Sequence, residues 1–170
     1  MAQHAAAAKL ISSLLLTIAG YTGFSVPKLH PELDFLPAAE LQQRFCRGPC
    51  PIHAFFPPGN TIYVESGLDV FHDPAAESIL AHELTHWLQQ ANLAHPEARS
   101  CQEWLDREYQ AYDVQYRWLR EQTGNMRAFS AALAELGGRP LLLPCPASAA
   151  GQAAKKPGVG DLPAASGLQH

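Results

Sequence analysis

Apolar positions along the chain fall into a few periodic runs separated by proline- and glycine-rich breaks, and their periods predict the elements. In KLISSLLLTIAG, residues 9–20, Leu10, Ile11, Leu14, Leu15 and Ile18 recur at one-and-four spacing, with Ser12, Ser13 and Thr17 on the other side. That is the pattern of a helix burying one face. The same run follows Lys9 and ends near the small residues Thr17 and Ala19, so it also has the length of a secretory leader's apolar core. A leader needs no polar face, which favours a first domain helix. No stretch reads as the roughly eighteen consecutive apolar residues of a membrane span.

The proline-rich VPKLHPELDFLP reads as a connection, followed by a short helix over 37–46. PIHAFF and TIYVES are β-prone runs joined by PPGN, a predicted hairpin. In FHDPAAESILAHELTHWLQQANL, Asp73 stands as N-cap, Pro74 at the first helical position and Glu77 near the positive end, predicting a helix over 74–92. A second long helix is predicted over 97–122, starting after Pro96 and stopping at Gly124, with Trp104, Leu105, Tyr109, Tyr112, Tyr116 and Leu119 at helical period. A shorter one over 126–136 starts after Asn125 and stops at a glycine pair. Beyond Cys145 the chain turns to alanine, glycine, proline and serine, so residues 147–170 are expected to be a disordered tail. The pattern is α+β and mostly helical, one domain over 1–146.

Composition narrows this. With 170 residues, 47% of them hydrophobic, the chain can bury one substantial core but not comfortably two. Its formal charge of −4 is spread without a lysine or arginine run, which argues against a nucleic-acid partner. The four cysteines allow three pairings. Cys46 with Cys50 and Cys101 with Cys145 is the economical choice, and would place the protein in the periplasm or outside the cell. Free cytosolic thiols are the alternative. A zinc knuckle is disfavoured because Cys101 and Cys145 are 44 positions apart, not a close pair.

The chemistry concentrates in ILAHELTHWLQQ, residues 79–90. His82 and His86, four apart on a helix, lie on one face and can aim at a common point, and Glu83 stands beside the first. This is the zinc-hydrolase pattern H-E-x-x-H: two neutral imidazoles hold the metal, and a carboxylate takes a proton from the attacking water. Two satisfied core histidines are the bland alternative. A third ligand is needed. The extended pattern with glycine at 89 and histidine at 92 is absent, since Gln89 and Asn92 stand there. His95 falls in the predicted turn between helices. A carboxylate on the next helix suits better, and Glu103 and Glu108, five apart, are rotated by roughly 140° so that only one can face the metal. Glu108 shares its face with Trp104, Ala111 and Gln115, the small Ala111 permitting close approach, whereas Glu103 sits with Arg107 and Gln110 on a face that looks solvated. Glu108 is the expected ligand.

His82, Glu83 and His86, followed by Glu108 and Ala111 in an E-x-x-A pattern, resemble the gluzincin metallopeptidases, and within them the very small, minigluzincin-like bacterial members. The resemblance spans about residues 10–136, its specific motifs only 82–86 and 108–111. It implies a zincin-like domain with a short sheet beside the motif helix, Zn2+ as cofactor, and a peptide or protein substrate cleaved with Glu83 as general base. It also implies that an extended substrate pairs with an edge strand, for which TIYVES is the expected partner. Larger relatives often carry aspartate four positions after the ligand glutamate; here Tyr112 stands there. Tyr109, Tyr112, Tyr116 and His72 are candidates to support the oxyanion, with Tyr112 preferred. Trp87 and Trp118 are expected in the core. The expected function is a zinc-dependent metallopeptidase, the alternatives being a catalytically inert domain that binds metal or peptide, or a helical domain without metal.

Overall fold

The structure is a computed structural model that describes residues 2–46, 50 and 52–135. The first helix, α1 (Ala2–Thr22), buries Ile11, Leu14, Leu15 and Ile18, the stripe read from the spacing, and exposes Leu16. It closes on Gly23, whose φ of 76° suits a residue without a Cβ and whose N–H donates to the Ala19 carbonyl. Tyr21 ties its end to a later helix by donating to the Glu121 carboxylate, with the Arg117 guanidinium 3.9 Å from the ring centroid. One expectation needs correcting: His4–Thr22 is long and apolar enough to cross a membrane by length and composition. The alanines at 5–8 raise its mean hydropathy without forming a run of large apolar residues.

The stretch read as a connection contains a strand, β1 (Glu32–Leu36). Leu33 and Phe35 alternate against the core and Leu36 is buried. Pro31 and Pro37 bracket it, leaving five residues, too few for a period to stand out. Next come α2 (Ala38–Phe45), with Leu41 fully buried, and the predicted hairpin, β2 (Ala54–Phe55) antiparallel to β3 (Thr61–Glu65). β1 pairs parallel with the other side of β3, from Glu32 opposite Thr61 to Leu36 opposite Glu65. The sheet order is therefore β1-β3-β2. TIYVES is the middle strand, with both edges used, so it cannot be the strand that receives an extended substrate; β1 took that edge by a pairing remote in sequence. Alternation along β3 buries Ile62 and Val64 in the main core, while Tyr63 lies on the opposite face with Phe45 and Phe55.

Helix α3 (Pro74–Asn92) has the predicted bounds, and the Asp73 side chain accepts from the Ala75 N–H as its cap. It runs through the centre of the domain, with Leu80, Ala81, Leu84 and Leu88 fully buried among residues of α1 and the sheet. Helix α4 (Cys101–Thr123) begins four residues later than expected, capped by Ser100, whose hydroxyl accepts from the Glu103 N–H. The Glu103 carboxylate reaches back to the Arg99 N–H, a variant of the S-x-x-E capping box. Arg107 meanwhile donates to the carbonyls of His95 and Pro96 and holds that stretch as a loop. Gly124, at φ 67°, ends α4, and α5 (Met126–Glu135) follows with the Asn125 side chain accepting from the Ala128 N–H. The α3 and α4 helices pack closely against each other, and Ala111 of α4 is fully buried. Trp87 and Trp118 are core residues, each 4% exposed.

Cys46 and Cys50 lie paired at disulfide distance. Cys101 is disulfide-bonded as well. The predicted partner Cys145, the glycine-pair stop after α5 and the predicted tail 147–170 lie outside the described residues.

Candidate metal centre

The apolar side of α3 is locked into the core by Leu80, Leu84 and Leu88, which leaves His82 and His86 no choice but to face α4. One helical turn apart, their Nε2 atoms converge to 3.1 Å, the rings edge to face at 4.8 Å between centroids. From α4, Glu108 places Oε2 3.5 Å from His82 Nε2 and Oε1 3.4 Å from His86 Nε2. Close packing at Ala111, one turn further along, is what lets this carboxylate reach. A tetrahedron of metal–ligand bonds of about 2.0–2.2 Å has edges of about 3.3–3.6 Å, so the three donors stand near the separations that one zinc-sized ion requires. Among the described residues, His82, His86 and Glu108 are the only three or more such side chains grouped closely enough to hold a metal ion.

The electrostatics of the group favour a positive charge at its centre. Burial resists ionisation of Glu108, but hydrogen bonds from His82 and His86 and their charge outweigh it and hold the carboxyl down to about 2. Burial likewise works against charge on His86. The Glu108 hydrogen bond and charge, with help from Glu83 and Gln89, prevail and raise it to about 9. Two nitrogen lone pairs and a carboxylate at this spacing repel unless a proton or a metal ion lies between them.

The two imidazoles are held differently on their far sides. His86 Nδ1 lies 2.9 Å from Gln89 Oε1. Among the described residues, buried His82 Nδ1 has no hydrogen-bond partner. Tyr112 packs its ring edge to face with His82, centroids 4.5 Å apart, and makes no bond to that nitrogen. Burial and the nearby Glu108 push the Tyr112 hydroxyl up to about 12, so it stays protonated and able to donate. Tyr116 stacks on Tyr112 at 6.0 Å.

Glu83 points toward the sheet, its Oε2 accepting from the Phe56 N–H at 3.0 Å, just past the end of β2. Glu103, His95 and His72 lie elsewhere. Glu103 is engaged with Arg107 and the Arg99 N–H in the α3–α4 loop, His95 lends that loop its carbonyl, and His72 pairs with Asp69 at 3.0 Å on the surface. Glu108 is thus the one of the two glutamates that joins the histidines, but the face of Glu103 is not the solvated one expected: Arg107 and Gln110 are partly buried and both bond to Gln89 of α3. The residue that sequence reasoning missed is Gln89, noticed only for not being glycine. Its i+3 spacing from His86 was the available signal. No protein-family model, curated protein or solved structure matches the chain.

Proposed function

We propose that the protein is a zinc-dependent metallopeptidase of gluzincin type that hydrolyses peptide bonds. The observation that carries this is the convergence of His82, His86 and Glu108 at near-tetrahedral separations, with Glu83 adjacent to the first ligand. Two imidazoles and one carboxylate are a donor set suited to catalytic zinc, leaving a position for water and substrate. Zinc bound there supplies Lewis acidity, polarising a scissile carbonyl and lowering the pKa of water to about 7. Glu83 is the proton carrier: its carboxylate accepts a proton as water attacks and passes it to the leaving amine. The Phe56 N–H fixes one of its oxygens. Tyr112, kept protonated and with its ring against His82, is assigned to support the oxyanion. The substrate strand is assigned to β2, an edge strand that leads directly to the Phe56–Glu83 contact. The Cys46–Cys50 pair and the apolar N-terminal helix fit a periplasmic or secreted setting.

The test is elemental analysis of protein purified without chelator or immobilised nickel, beside Glu108→Ala and Glu83→Gln. We expect about one zinc per chain in the wild type and in Glu83→Gln, and loss of zinc in Glu108→Ala. Hydrolysis of denatured casein should be present in the wild type and fall by about 10²–10⁴ in Glu83→Gln. Zinc bound without hydrolysis would leave a metal-binding domain. No metal, with a thermal midpoint that added zinc does not move, would end the peptidase reading.

A further inference from the structure

We infer that Gln89 is a positioning residue for the metal site: its buried amide holds His86 with the proton on Nδ1 and so reserves Nε2 for the ion. The inference rests on the metal-site reading above. Gln89 is 1% exposed and lies three residues after His86 on α3. Its Nε2 donates to the Arg107 carbonyl at 3.0 Å and to Gln110 Oε1 at 2.8 Å, both on α4. Its Oε1 lies 2.9 Å from His86 Nδ1.

These contacts determine the proton's place one step at a time. A backbone carbonyl can only accept, so the end of the amide facing Arg107 must be the nitrogen. The oxygen then faces His86. An amide oxygen also only accepts, so His86 Nδ1 must donate and therefore carries hydrogen. When the ring is neutral, its lone pair is then on Nε2, the atom beside His82 Nε2 and Glu108. The assignment starts from a main-chain carbonyl inside a helix, which cannot reverse its polarity.

The same amide has a second effect. Its two acceptors, Arg107 and Gln110, flank Glu108 in the chain, so one side chain joins the His86 ligand to the turn of α4 that presents the carboxylate ligand. His82 lacks this device on its far side: among the described residues its buried Nδ1 has no hydrogen-bond partner, and the Tyr112 ring packs against it. Among the described residues, the two ligand histidines therefore differ at the far nitrogen: His86 is held there by a hydrogen bond and His82 is not. Removing outer hydrogen bonds of this kind weakens metal binding by about 10–100-fold.

The test compares wild type with Gln89→Met, which keeps the length of the side chain and removes the acceptor. Zinc dissociation constants come from competition with a chromophoric chelator, and folding is checked by circular dichroism and thermal midpoint. We expect a folded variant that binds zinc about 10–100-fold more weakly. A second measurement needs no variant: long-range ¹H–¹⁵N correlation spectra of zinc-loaded wild type should show an exchange-protected Nδ1–H on His86 and none on Nε2. Equal zinc affinity in a folded Gln89→Met, or His86 coordinating through Nδ1, overturns the role of Gln89 and leaves the metal site standing. Failure of the wild type to bind zinc at all overturns the metal site, and this inference with it.

Discussion

At the scale of residues, a metal ion at this group would compete with protons for the same nitrogens, so acidity would govern its binding. Glu108 is held down to about 2 from 4.5 by the two histidines, so its contribution to the stability of the metal-free protein is present above pH 4.5 and is lost as pH falls toward 2. His86 is raised to about 9 from 6.5, chiefly by Glu108 working against burial, so its contribution is complete below pH 6.5 and is lost as pH rises through 9. The metal-free protein should therefore gain most from this pair between those limits. Zinc bound at the proposed site would have to displace the proton from His86, so the rise in thermal midpoint on adding zinc should be larger at about pH 8 than at about pH 6. Calorimetry at the two values checks this. Equal shifts would mean that zinc does not bind at His86.

At the scale of elements, the centre exists because α3 and α4 approach closely enough for ligands on different helices to meet. Ala111, fully buried at that contact and one turn from Glu108, sets the approach. Ala111→Leu should force the helices apart, costing about 1–3 kcal/mol of stability, and weaken zinc binding even though no ligand is altered. Urea denaturation and chelator competition read the two effects separately; a stability loss with unchanged zinc affinity would show that helix spacing does not control ligand geometry. The elements differ in how visible they were in the sequence. Helix α3 was legible to both ends because its start depends on its neighbours in the chain, Asp73 and Pro74. Strand β1 was not, because its evidence is a parallel pairing with β3, remote along the chain and hidden between two prolines. The late start of α4 was half legible: Ser100 and Glu103 carry the capping signal, but Arg107 gathering the loop carbonyls is a contact only the fold makes.

At the scale of the whole molecule, α1 is the open question that stability can answer. Its run has the composition of a leader or a span, yet Ile11, Leu14, Leu15 and Ile18 are buried with α3 and the sheet. If α1 belongs to the folded domain, Leu15→Ala should cost about 2–5 kcal/mol in denaturant unfolding, as expected for a leucine with no exposure. A change below about 0.5 kcal/mol would mean that the domain folds without it. Local patterns alone determined α3, the placement of His82 and His86 on one face with Glu83 beside them, and that only one of Glu103 and Glu108 could join them, because helical rotation and capping act within a few residues. The tertiary structure alone decided that β3 is a middle strand, that Tyr112 packs against His82 instead of bonding to it, and that Gln89 faces His86 with its oxygen. Each of those depends on a partner brought in from a distant part of the chain, and no period or spacing along the sequence records which partner that will be.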